Sequence, residues 1–227
     1  MPLDKATRQH VIKYVTRDIV PKTVTPRPHQ AMTWFKAQFA FVSDAKLQEH
    51  LGEAFYQARY IGRVREALAL KAGFNHAFCK YQILLYASIY ECVIDYLLDA
   101  VSDDPVVANL LTCNDLQRIS AISSKAQLTF TDGAETHDLL TCRQVSRTRQ
   151  LRDVRFDDRV TAAEKLGIVR KQDSAFIKSL YKSRNNIHLK SSANKDFKPD
   201  DQQSSEAFRL LFAFTENAAA WCKKRKL

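Results

Sequence analysis

The order of hydrophobic and polar positions predicts a chain built mainly from helices. Between residues 43 and 70, Leu47, Leu51, Phe55, Ala58, Ile61 and Val64 recur at three- and four-residue steps, the period that gathers side chains on one face of an α-helix. Ser43 is placed to cap the start of that helix, Gly73 to end it and Asn75 to cap the next. Residues 75–101 are apolar almost all round, which predicts a central helix covered on several sides. Upstream, residues 3–19 and 28–41 read as shorter helices separated by Pro21, Pro26 and Pro28, whose rings interrupt helical hydrogen bonding. Downstream, residues 158–166 closed by Gly167, then 171–189 and 204–224, carry helical patterns, and a short helix is expected at 105–112. Two strand-like runs, 127–131 and 139–145, lie either side of Asp132-Gly133 and suggest a hairpin with a connection longer than two residues.

These elements describe a mostly all-α fold. It has an N-terminal helical cap over residues 1–74 and a helical bundle over 75–227 that carries an inserted hairpin at about 102–157. Composition agrees, since 5 glycines and 6 prolines in 227 residues are too few for a turn-rich sandwich or barrel, and 45% hydrophobic content can fill a core. The five cysteines form an odd set without a CxxC pair or zinc spacing, so they read as buried thiols in a reducing compartment, with no metal and no cofactor expected. The start of the chain lacks the apolar stretch of a secretory signal, which makes cytoplasmic the expected location. Residues 81–98 are nearly long enough to span a bilayer, but Glu91 and Asp95 lie inside them, so a buried helix is expected and no membrane association.

Charge changes the picture more. Residues 143–195 hold 14 Lys and Arg against 5 Asp and Glu, so nearly all of the chain's net +10 lies there. Such a concentration attracts a polyanion through phosphate contacts and counterion release, or is a solvated helical face. Within it, Ile177, Tyr181, Arg184 and His188 share one helical face beside that of Phe176, Leu180, Ser183 and Ile187. A guanidinium that holds phosphate in a fork and an imidazole that titrates near neutrality suit phosphodiester cleavage, although an Arg and a His four residues apart are also common at exposed helix ends. Lys178, Lys182 and Asn185 flank the pair, and Lys190 follows it. Glu91 and Asp95, four residues apart on the central helix, need partners; Glu91 either orients Arg184 or His188, or belongs to an ordinary buried ion pair. His10, His29, His50, His76 and His137 are scattered and receive no role.

The run Asp158-Arg159-Val160-Thr161-Ala162-Ala163-Glu164-Lys165-Leu166-Gly167-Ile168-Val169, followed by Phe176-Ile177-Lys178-Ser179-Leu180-Tyr181-Lys182-Ser183-Arg184-Asn185-Asn186-Ile187-His188-Leu189, resembles the C-terminal half of HEPN (higher eukaryotes and prokaryotes nucleotide-binding) domains. There, a helix ending in an A-x-x-L-G-I-I phrase precedes a helix bearing an R-N-x-x-x-H-like motif. Leu84-Leu85-Tyr86-Ala87-Ser88-Ile89-Tyr90-Glu91 is similar to the family's first long core helix, which often carries an acidic residue. The resemblance covers residues 75–101 and 158–224, and the spacing between Arg184 and His188 is tighter than the family's usual four to six intervening residues.

The resemblance implies a homodimer in which two motif helices form one composite, metal-independent ribonuclease site. His188 would be the general acid or base, Arg184 the phosphate holder and Asn185 an orienting or substrate-binding group, with Glu91 as a possible orienting residue and Lys178, Lys182 and Lys190 along the RNA. The products would carry 2′,3′-cyclic phosphate and 5′-hydroxyl ends. The biological role implied is a toxin or defence effector, with a neutralising protein as possible partner. The other readings are a non-catalytic HEPN module that binds RNA or a partner protein, and a helical DNA-binding protein, against which stands the absence of a helix-turn-helix phrase.

Overall fold

The computed structural model describes residues 4–14, 28–70, 72–119, 128–139, 141–187 and 201–227. Helix α1 (Lys5–Lys13) is capped by Asp4, whose carboxylate accepts the Thr7 amide at 2.9 Å, and it buries none of its side chains. Helices α2 (Pro28–Ala37) and α3 (Ala45–Ala67) lead to the long α4 (Ala72–Asp99). Then come α5 (Pro105–Leu111), strands β1 (Thr112–Arg118), β2 (Leu128–Asp132), β3 (Glu135–Leu139) and β4 (Cys142–Thr148), and a 3₁₀ turn (Leu151–Asp153). Helices α6 (Phe156–Lys165), α7 (Lys171–Asn186) and α8 (Asp201–Arg225) complete the described chain, which is predominantly helical.

Helix α4 is central, as its all-round apolar pattern predicts, and packs against α3, α6, α7 and α8. Ile83, Tyr86, Tyr90, Val93, Ile94 and Leu97 are each no more than 1% exposed. The same core continues into the N-terminal helices. Phe35 of α2 meets Phe55 of α3 with ring centroids 4.9 Å apart, and Phe55 meets Phe212 of α8 at 5.4 Å. Gly52 of α3 lies where an added Cβ would come within 3.1 Å of the Lys36 backbone, so its missing side chain allows α2 and α3 to touch. Helix α8 is fixed at its far end by Trp221, which donates to the Leu166 carbonyl at 2.8 Å, and by Asn217, whose amide donates to the carbonyls of Gly167 and Ile168.

Several local expectations are corrected. The cap of α3 is Asp44, whose carboxylate accepts the Lys46 and Leu47 amides, while Ser43 hydrogen-bonds the Tyr96 hydroxyl. The helix ends at Ala67, with Ala69 in the left-handed region (φ 47°), and Gly73 and Asn75 fall inside α4. Asn75 donates to Asp201 across the fold and does not cap α4. Gly167, with φ 79°, follows α6 as expected.

The hairpin is tighter than its sequence suggested: β2 pairs with β3 around a two-residue turn at Gly133 and Ala134, with φ 59° at Gly133. The run 139–145 does not close that hairpin, because β4 pairs with β1, from Thr112↔Thr148 to Arg118↔Cys142. Most residues of β1 and β4 are exposed. Cys142 on β4 is also exposed, which corrects the expectation that all five thiols are buried. Parts of the expected helices 3–19 and 171–189 lie outside the described residues. Among the described residues no helix is long and apolar enough to cross a membrane.

Candidate functional site

Helix α7 buries Ile177, Leu180 and Ser183, a three-residue alternation that turns Tyr181, Arg184 and Asn185 toward its margin. Arg184 is held by three neighbours. Its guanidinium carbon lies 5.3 Å from the centre of the Tyr181 ring, Nη1 donates to Asn185 Oδ1 at 3.2 Å, and Nη2 is 3.9 Å from Glu91 Oε2. Beneath Arg184, the Tyr181 ring stacks on buried Phe156 at the start of α6, with centroids 4.1 Å apart.

Glu91, from the central helix, is a shared acceptor. Its Oε1 takes one hydrogen bond from Arg159 Nη2 at 3.1 Å and another from the Tyr181 hydroxyl at 3.2 Å. Arg159 also pairs with Asp95, one turn further along α4. The two acids thus share one buried guanidinium, and Glu91 reaches Arg184 only at the limit of an ion pair. Both readings of Glu91 have a counterpart here: it is in a largely buried ion pair, and it stands against Arg184.

Burial raises the pKa of Asp95 above the usual aspartate value, a shift that Arg159 opposes without cancelling. Burial also works against the charge on Arg159, but the Asp95 and Glu91 carboxylates outweigh it and keep the guanidinium ionised. The Tyr181 phenol is pushed upward by burial and then by Glu91, so it acts here as a neutral donor.

Beside this network lies a groove of about 480 Å³ between α7 and the segment that leads into α6. It is lined by Arg152, Arg155 and Arg159 on one side and by Tyr181, Lys182 and Asn185 of α7 on the other, with Asp153 and Asp157 among them. Lys182 is 3.5 Å from Asp157, so that acid already has a counter-ion. Lys178 is not among the lining residues; its ammonium donates to Thr161 Oγ1 at 2.8 Å and ties α7 to α6. His188 and Lys190 lie outside the described residues.

The basic quarter is therefore only partly available to a ligand. Arg159, Arg170, Lys182 and Arg184 are each within ion-pair distance of an acid, and so is Arg147 on the ribbon. Arg152 and Arg155 are exposed and form no ion pair among the described residues.

Sequence reasoning did not single out Arg152, Arg155, Arg159 or Phe156, and it placed Tyr181 on the right face without a role. Arg159 carried a usable signal: it is a charge flanked by Phe156, Val160 and Ala163 on the apolar side of α6, opposite two acids in need of a partner. No protein-family model, curated protein or solved structure matches this chain.

Proposed function

We propose that this chain is a HEPN-like, metal-independent endoribonuclease, with residues 75–101 and 158–224 as the family bundle and residues 1–74 and 102–157 as additions to it. The observation that carries the reading is the placement of Arg184: a guanidinium supported by Tyr181, Asn185 and Glu91 at the edge of a groove that bears free arginines. A supported guanidinium loses little freedom when it takes a phosphate in a bidentate grip and offsets the charge that grows in the transition state.

His188 follows Arg184 at four residues in the sequence and supplies the proton transfer, accepting from the ribose 2′-hydroxyl as that oxygen attacks the adjacent phosphorus, or giving a proton to the departing 5′-oxygen. The P–O5′ bond breaks as the 2′-oxygen bond forms, leaving a 2′,3′-cyclic phosphate and a 5′-hydroxyl. A second copy of the chain completes the composite site, and the biological setting we propose is a toxin or defence effector held in check by a partner protein. The alternative, a module that binds RNA without cutting it, is favoured by the short spacing between Arg184 and His188.

RNA cleavage in the presence of chelator separates the two. His188→Ala should lower the cleavage rate by about 10²–10⁴-fold and leave RNA affinity nearly intact, whereas Arg184→Ala should reduce both and Arg184→Lys should restore neither fully. Wild-type protein that binds RNA but yields no cyclic-phosphate ends selects the binding module.

A further inference from the structure

We infer that Arg152 and Arg155 form a second phosphate subsite, which holds the RNA backbone next to the phosphate gripped by Arg184. The inference rests on the proposed action on RNA and adds to it a substrate-binding element from outside the segments that resemble the HEPN family.

The segment is built to display these two side chains. Leu151 and Val154 are buried, at 8% and 2% exposure, and pin the 3₁₀ turn and the residues after it to the bundle. Arg152 and Arg155 alternate with those anchors and stand outside, so the chain that presents them is fixed although their own side chains are free. Both line the groove, and they share it with Asn185, the hydrogen-bonding neighbour of Arg184. A strand whose reacting phosphate sits on Arg184 therefore has its neighbouring backbone over the same groove.

Charge in the groove favours an anion there. Arg159 is neutralised by Glu91 and Asp95, and Lys182 faces Asp157, which leaves Arg152 and Arg155 as cations without ion-pair partners among the described residues, with Asp153 the remaining acid of the lining. Arg159 adds a second sign. It lines the groove at 5% exposure, and its Nε–H is buried with no hydrogen-bond acceptor among the described residues. A buried donor without an acceptor is uncommon in a folded protein, and a phosphate oxygen in the groove is the kind of acceptor it lacks.

The test is fluorescence anisotropy with a labelled single-stranded RNA of mixed sequence across a salt series, for wild type, Arg152→Ala/Arg155→Ala and Lys165→Ala/Lys171→Ala. The last variant removes the same charge from exposed positions outside the groove. We expect the arginine variant to lose about ten- to a hundredfold in affinity at low salt, and its slope of log affinity against log salt to fall by about 1.4, as two lost phosphate contacts on a single strand require. The lysine variant should stay close to wild type in both affinity and salt slope. Equal losses in the two variants, or no loss in either, overturn the subsite and leave the ribonuclease reading standing. Wild type that binds no RNA overturns both.

Discussion

A single guanidinium, Arg159, joins the stability of the fold to its candidate site. Its side chain is 6% exposed, against 22% for Glu91 and 29% for Asp95, so the cation is the most deeply buried member of the group. Arg159→Ala leaves two carboxylates on α4 without their shared counter-ion. Breaking a buried pair costs about 3–5 kcal/mol, and the partial exposure of the acids places the expected loss near the lower end. Urea unfolding measures it directly; a loss below about 1 kcal/mol would show that water replaces the guanidinium at little cost.

Asp95 has an opposite dependence on acid. Burial raises its folded pKa above the value of about 3.9 that an unfolded aspartate shows, so the native state takes up the proton first as pH falls. Its contribution to stability is fully present below the unfolded value and is lost as pH rises through the folded one. Wild type should therefore gain on Asp95→Asn as the pH is lowered from neutrality toward 4, and paired melting curves across that range should show the difference widening.

At the scale of elements, the chain announces what is local and conceals what is distant. The helical periods of α3, α4, α6 and α8 depend on neighbours three and four residues apart, and they are readable in the sequence. The choice of Asp44 over Ser43 as the cap of α3 depends on Tyr96 of α4, which occupies Ser43. Strand β4 could be recognised as a strand but not assigned, because its partner β1 lies about 30 residues earlier and, beyond Thr112 at the end of the helix expected at 105–112, does not read as a strand. The candidate site follows the same rule. Arg184 and Asn185 are legible from spacing along one helix, whereas the link from Arg159 to Glu91 crosses 68 positions of sequence and appears only when α4 and α6 pack together.

The ribbon of β1 and β4 invites a test of its own. Thr112 and Thr148 are paired at its root, so a short Gly-containing turn can replace residues 113–147 without pulling α5 and α6 apart. Because nearly all of the side chains of these two strands are exposed, the shortened protein should keep the helical circular dichroism and a urea midpoint close to that of wild type. Loss of the cooperative transition would mean that the ribbon holds α5 against α6.

For the whole molecule, the question is whether residues 1–74 behave as a cap on an independent bundle or as part of one cooperative unit. The packing favours one unit. Trp34 and Phe35 of α2, Phe55 of α3 and Phe208 and Phe212 of α8 are in mutual ring contact, so the first and last parts of the chain share a core. An ion pair repeats the connection: Arg65 of α3, 8% exposed, meets Asp201 at the start of α8 at 2.5 Å. The chain's two tryptophans fall on either side of the boundary, with Trp34 in α2 and Trp221 in α8. Variants that retain one of them each, Trp221→Phe and Trp34→Phe, therefore report separately on the two regions. If the core is continuous, each variant's fluorescence transition in urea coincides with its own far-ultraviolet transition. Adding Phe55→Ala, which empties a fully buried ring site on α3, should then lower the stability reported by either tryptophan by about 3–5 kcal/mol. A shift seen by Trp34 but not by Trp221 would instead divide the chain near residue 74 and make the N-terminal helices a detachable cap.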